Sequence, residues 1–299
     1  MTTDYTTHEQ AHHINKKLVP KYYKGFDSLD HLATYLNDPD TRFWSHRRSS
    51  LKDDYSFTGT KNIEEAFDLM QNGWAEGTER LNEIDVTNSQ FNAGKVNQQE
   101  MNVHGYVPDV PTFLSGNPMC MFARGDNFNP KKQYEVVLQV GYAWFNDANR
   151  LFNYGTAALK VIDNLEQMGH RVRVTAAELG KSGGLTSLHE VCLKDYEDPF
   201  DINQLAFAIC HLSFLRRMMF ALKESHTEQE YGRAFSDGYG VAQQLGPDAF
   251  TDGVDRIIFA GLAHDVADEF DTLEGAMKIT ENLLVKNGIT DINFTREAA

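Results

Sequence analysis

Between Tyr134 and Val174 the apolar residues change their spacing twice, and that change limits the fold more than any other feature of the chain. "YEVVLQV" places Val136 to Val140 in a run of the kind used by strands buried on both faces. From Ala158 through Leu159, Ile162, Leu165 and Met168 the spacing becomes helical, and Gly169 is placed to end the helix as a left-handed cap. "RVRVTA", Arg171 to Ala176, then alternates with period two. Strand, helix and strand in that order predict parallel neighbours joined by a right-handed crossover. The segments 134–140 and 171–176 are therefore expected side by side, with a helix over 154–168 between them.

The same alternation continues downstream. "HEVCLKDY" is a third candidate strand, and "DPFDINQLAFAICHLSFLRRMMFALKE" reads as one long helix opened by Asp201 with Gln204 three residues on. "DRIIFAG" is a last strand. A last amphipathic helix runs through Phe270, Leu273, Ala276, Met277, Thr280 and Leu284 and is closed by Gly288. Strands alternating with helices give an α/β class for residues 104–299. Residues 1–103 read as a helical N-terminal region, with helices in "SLDHLATYL" and after Asn62 and a break at Gly73. A polar, nearly apolar-free hinge follows near 86–103. "HGYVPDVPTFLSGNPMCMF" is proline-rich and expected to be extended or turn-rich, with an edge strand.

Charge narrows the range of function. The net charge of −15 opposes general binding to a phosphate backbone. "RFWSHRRSS" is the one dense basic stretch, which makes Arg42, Arg47 and Arg48 a candidate basic patch. No apolar run reaches the about 18 residues of a membrane span, and the first residues are polar, so neither a secretion signal nor a membrane anchor is expected. The three cysteines, Cys120, Cys192 and Cys210, have no close spacing and read as buried thiols of a cytoplasmic protein. Cys210 and His211 are helix neighbours about 100° apart, a poor geometry for a catalytic pair.

Four stretches carry candidate chemistry. The loop "GYAWFNDANRLFNYG" lacks the glycine cradles of dinucleotide and P-loop sites, so no cofactor is expected there. It is bulky and aromatic instead, and Trp144, Phe145, Asp147 and Arg150 form a candidate interface. "HLSFLRRMM" sets Arg216 and Arg217 about 100° apart on a helix apolar on nearly every face. A buried guanidinium is costly without an anion. Arg216, Arg217 and His211 are therefore a candidate ion-pair or anion site, with Asp265, Asp268, Glu269 and Asp271 as the expected carboxylate partners. His264–Asp265 spells "HD" without the further ligands of a phosphohydrolase, and its acids suit the start of a helix. His8, Glu9 and His12 satisfy H-E-x-x-H in a polar terminus with no apolar helix around it. No metal site is expected.

"NYGTAALKVIDNLEQMGHRVRV" and "EVCLKDYEDPFDINQLAFAICHLSFLRRMMFALKE", preceded by "SFTGTKNIEEAFDLMQNGW" and "GYVPDVPTFLSGNPMCM", resemble a family of uncharacterised proteins carried by phages and plasmids. That family pairs "LE-x-x-G" and a strand with a helix ending near "HPS-x-x-RR"; here Leu212 replaces the proline. The match runs from Ser56 to Phe220 and more loosely to residue 285, and it implies membership without an activity. The alternation is also similar to Rossmann-like or von Willebrand A-like domains, with a mostly parallel sheet flanked by helices. The latter bind metal through an Asp-x-Ser-x-Ser loop, whereas this chain has Asn146 and Asp147 without serine.

Three functions remain open. With no complete catalytic constellation, the first is a non-catalytic interaction or assembly module of a phage or mobile element. Its partner would be a phage or host protein in the host cytoplasm, or a second copy of the chain. The second is an enzyme acting on a phosphorylated or nucleotide substrate through Arg216, Arg217 and the acids near Asp265. The third is a nucleic-acid-associated protein using residues 42–48.

Overall fold

The computed structural model describes residues 22–41, 43, 49–83, 99–105, 107–124, 132–182, 184–225, 239–250, 252, 254, 256–259, 262 and 268–289. Strand β1 (Tyr22–Phe26) leads into helix α1 (Leu29–Asn37), whose Ser28 cap accepts the His31 amide at 3.0 Å. Leu29, Leu32, Ala33 and Leu36 are buried, as their spacing predicts. Three helices follow, α2 (Tyr55–Thr58), α3 (Ile63–Asn72) and α4 (Ala75–Glu83). Asn62 caps α3 by accepting the Glu65 amide, and the Glu65 carboxylate reaches back to the Lys61 amide. The break expected at Gly73 is present, with φ at +85°.

Residues 99–124 form a small antiparallel sheet in the order β2-β4-β3, comprising β2 (Gln99–Asn102), β3 (Val107–Pro108) and β4 (Met121–Arg124). Helix α5 (Val110–Leu114) sits between its last two strands. Pro108 lies on an edge strand, where a residue without an N–H donor costs no ladder bond. The polar hinge expected near 86–103 lies largely outside the described residues.

The central sheet takes its strands from both ends of the chain. β5 (Gln133–Gln139) connects through α6 (Ala148–Gln167) to β6 (Arg171–Ser182), and the two strands are parallel, with Val136 opposite Val174. Antiparallel β7 (Leu185–Lys194) follows. Then come α7 (Ile202–Cys210), a π-helical turn (Phe214–Met219) and α8 (Phe220–Glu224). β8 (Val241–Ala242), β9 (Arg256–Phe259) and α9 (Leu273–Lys286) complete the fold. The strand order is β1-β7-β6-β5-β9, with β8 on β6. Pairs β1·β7, β5·β6 and β5·β9 are parallel, so this is a mixed α/β fold with a mostly parallel central sheet flanked by helices.

Two expectations need correction. The N-terminal region, expected to be helical, also supplies β1, which is an edge strand of the central sheet. The long helix over 201–224 is interrupted at His211, and its halves are bent by 67°. The His211 amide closes α7 on the Phe207 carbonyl, and the chain then widens into the π-helical turn. Among the described residues no single helix is long and apolar enough to cross a membrane; the bent pair has the composition but is buried inside the fold.

α6 covers β5 and β6 with Ala158, Leu159, Ile162 and Leu165, and its Tyr154 hydroxyl donates to the Phe259 carbonyl of β9 at 2.6 Å. Gly155 is needed where α6 crosses α7, because a Cβ there would lie 2.3 Å from the Cys210 sulfur. Phe26, Leu32, Ala66, Met70 and Leu81 belong to the same buried cluster as Val136, Val174 and Leu159. The first described strand therefore shares the core of the α/β layers. Phe26→Ala is expected to lower stability by about 3–5 kcal/mol. Urea melts followed by tryptophan fluorescence and by far-UV circular dichroism should shift together; a shift in only one signal would mean that the N-terminal region unfolds by itself.

Candidate functional site

The bend between α7 and α8 carries the two arginines inward. Arg217 is 0% exposed. Its Nε donates to Thr60 Oγ1 at 2.7 Å and its Nη1 to the Ser50 carbonyl at 2.7 Å. Nη2 donates to Thr58 Oγ1 at 2.9 Å and to the Thr60 carbonyl at 2.7 Å. The expected carboxylate partner is thus replaced by neutral oxygens from residues 50–60. Burial pulls the Arg217 pKa below the ordinary arginine value, and the fields of Asp53, Glu64 and Glu65 offset part of that. Of the acids expected beside it, Asp265 and the Asp268 side chain lie outside the described residues. Glu269 is exposed, and Asp271 pairs with Arg150.

Arg216 is 5% exposed and points to the other side of the turn. It donates to three backbone carbonyls, those of Phe57 at 2.6 Å, Trp144 at 3.3 Å and Asn146 at 3.2 Å. The guanidinium carbon lies 4.4 Å from the Phe57 ring centre and 5.2 Å from that of Tyr142. Arg216 also lines a cleft of about 390 Å³ at the carboxyl end of β5, together with Glu178, Lys223 and the aromatic residues Tyr142, Trp144 and Tyr239.

Glu178 and Lys223 join this cleft to a charged row across the sheet. Strand register places Glu178 of β6 opposite His189 of β7, and His189 opposite Lys24 of β1. His189 Nδ1 lies 3.0 Å from Glu178 Oε2, and Lys223, reaching down from α8, donates to Glu178 Oε1 at 2.7 Å. Burial alone would push the Glu178 carboxyl up, but Lys223 and His189 hold it below the usual carboxylate value. Burial pushes the His189 pKa below the ordinary histidine value, with Glu178 pulling the other way. Gly180 makes room for the pair: a Cβ there would sit 2.9 Å from Glu178 Oε1 and 3.0 Å from Lys223 Nζ.

The network then returns to the arginines. Lys223 donates to the Tyr239 carbonyl at 3.0 Å, and the Tyr239 hydroxyl donates to Glu224. Glu224 accepts the Ser50 amide at 3.2 Å and the Ser50 hydroxyl. Ser50 is the residue whose carbonyl holds Arg217. None of this charged row was read from the sequence. Its one signal was Glu178 and His189 placed symmetrically about a Gly-Gly pair in the sequence, a dipeptide typical of hairpins.

The remaining candidates divide. Trp144 is 82% exposed and Phe145 is also exposed, the two rings meeting edge to face at 6.1 Å. Asp147 caps α6 by accepting the Arg150 amide at 2.9 Å, and Arg150 is tied to Asp271 beside α9. These two hold the fold. His211 packs on Trp74 at 4.7 Å and on Phe207 at 5.4 Å, away from the cleft. Its Nδ1 accepts the Ser213 amide at 3.1 Å, and burial lowers its pKa to about 4. Arg42, Arg47, Arg48 and the H-E-x-x-H residues lie outside the described residues. Among the described residues, no group of three His, Cys, Asp or Glu is placed to hold a metal ion.

A second surface stands out on the small sheet. Val103, Val107, Val110, Phe113, Leu114 and Met119 are exposed there, Phe113 at 63% and Leu114 at 78%. Val103, Val110 and Phe113 line a groove of about 640 Å³ whose lining, including Pro108, Pro118 and Met121, contains no charged residue.

The model of a family described as a domain of unknown function, DUF7192, matches residues 6–290, and the chain belongs to that family. No curated protein and no solved structure matches it.

Two outcomes are expected. Arg217→Ala strands the acceptors around it and leaves a cavity, so it should cost about 3–5 kcal/mol in urea melts. Wild-type stability after that change would overturn the structural role. His211 has a folded pKa of about 4, below its usual 6.5, so the unfolded chain takes up a proton first as pH falls. Stability present above pH 6.5 is then lost progressively towards pH 4. Between pH 7 and 5 the wild type should lose about 2 kcal/mol more than His211→Gln. Parallel pH profiles for the two proteins would refute it.

Proposed function

We propose that this member of the DUF7192 family is a non-catalytic protein-interaction module whose contact surface is the small sheet of residues 99–124. One observation carries the reading: six large apolar side chains from Val103 to Met119 face solvent, three of them lining an uncharged groove, in a chain of net charge −15. Exposed apolar surface gathered in one place marks contact with another molecule. The exposed Trp144 and Phe145 add a second apolar rim at the cleft. The sequence resemblance supports a phage or mobile-element setting, with a phage or host protein in the host cytoplasm as partner. A second copy of the chain is the alternative occupant. The parallel β5–α6–β6 crossover supports a Rossmann-like or von Willebrand A-like relationship, from which antiparallel β7 departs.

The enzyme reading draws on Arg216 in the cleft. Against it, Glu178 and Lys223, the acid and amine that line the cleft with Arg216, are bonded to each other at 2.7 Å, an arrangement that favours binding over proton transfer. The nucleic-acid reading rests on residues 42–48 alone and is opposed by the net charge.

The test is a double substitution, Phe113→Asp with Leu114→Asp. Both side chains are exposed, so stability should change by no more than about 0.5 kcal/mol. Wild-type protein should associate, with itself in sedimentation or with a partner recovered from host cells, and the double variant should not. Association that survives the change, or a variant that unfolds, would show that these residues are not the contact surface.

A further inference from the structure

The cleft at the carboxyl end of β5 is a separate surface from the small sheet, and its wall holds a guanidinium that forms no salt bridge among the described residues. We propose that it binds a small molecule with a single carboxylate on an aromatic body, the carboxylate meeting Arg216.

Arg216 supplies the first argument. Its guanidinium is 5% exposed, and its three bonds all go to backbone carbonyls. A guanidinium has five N–H donors, so part of its capacity is left over. Among the described residues no carboxylate is bonded to it, and the exposed Asp54 acts on it only through its field. A buried cation in that condition is costly, and an anion entering the cleft relieves the cost. The Phe57 and Tyr142 rings beside the guanidinium hold it in place, so little ordering is needed when the ligand arrives.

Position and size agree. The cleft lies just past the carboxyl end of β5, where Gly141 to Phe145 leave the sheet. Open α/β sheets commonly place ligands outside the carboxyl ends of their strands. The volume of about 390 Å³ falls in the range of small-molecule sites, which favours a free ligand over a lone side chain of a partner.

Charge sets the ligand class. The Lys223 ammonium is already matched by Glu178 at 2.7 Å, so it adds no net positive charge. Glu178 itself lines the cleft and is kept ionised by Lys223 and His189. A phosphate dianion would meet that fixed negative charge with only Arg216 to balance it. A carboxylate matches Arg216 one for one. The walls set the body. Tyr239 is stacked on Phe220 at 3.8 Å, and Trp144 stands 82% exposed at the lip, surfaces suited to a flat ring.

Titration calorimetry with a matched set decides the matter: 2-naphthoate, the neutral 2-naphthamide, and 2-naphthyl phosphate at pH 8, where it is a dianion. The full-length protein should bind 2-naphthoate at least about tenfold tighter than either analogue. Arg216→Gln should abolish the preference for the carboxylate over the amide. Arg216 also contacts the fold, so a second variant protects the test. Val241 is 56% exposed in the cleft lining, and Val241→Asp should weaken 2-naphthoate at least about threefold while leaving 2-naphthamide unchanged. Equal affinity for acid and amide, tighter binding of the phosphate, no binding of 2-naphthoate at millimolar concentration, or no effect of Val241→Asp would each overturn the proposal. None of these results bears on the small sheet, which the Phe113 and Leu114 changes test.

Discussion

A guanidinium removed from water has to be given acceptors, and the hydrogen bonds of Arg217 are all donated to residues 50–60. Charge-assisted hydrogen bonds of this kind contribute about 1.5–3 kcal/mol each, against a desolvation cost of several kcal/mol. The balance favours folding only when the bonds form together, so the segment is fixed in one conformation. Fixing it places the Phe57 carbonyl on Arg216 and the Ser50 amide on Glu224. Gly59, at φ +79°, lets the backbone pass close to His211, Leu212 and Ser213. The bend after α7, the cleft and the position of Phe57 follow from one buried charge.

From the bend, the constraint passes into the sheet through paired charges. Glu224, Tyr239, Lys223, Glu178 and His189 form a continuous chain of contacts from the Ser50 backbone to the middle of β7. Such a network rigidifies a core when its members are satisfied and is costly when one is lost. It also explains the division of labour on the surface. The cleft is rigid and charged, whereas the small sheet is apolar and open to solvent.

Legibility in the sequence followed periodicity. β5, α6, β6, β9 and α9 were readable because their apolar spacing has one period and clear caps. β1 was not, because "YYKGF" puts Lys24 where its strand faces the core, and lysine normally signals solvent. The bend at His211 was hidden because a helix apolar on all sides carries no phase to lose, and no proline or glycine marks the break. Burial of the arginine pair was legible for the same reason. Their acceptors were not: serine and threonine oxygens more than 150 residues away look like any loop. The exposed groove was foreshadowed only as proline-rich, turn-forming chain.

The central claim is that Arg217 organises residues 50–60 through neutral acceptors. A double-mutant cycle between Arg217→Lys and Thr60→Val, read by urea melts, measures it most directly. The predicted coupling is about 1–3 kcal/mol, because lysine cannot reproduce the guanidinium's bonds and valine removes an acceptor. Additive losses, with coupling within about 0.3 kcal/mol of zero, would contradict the account.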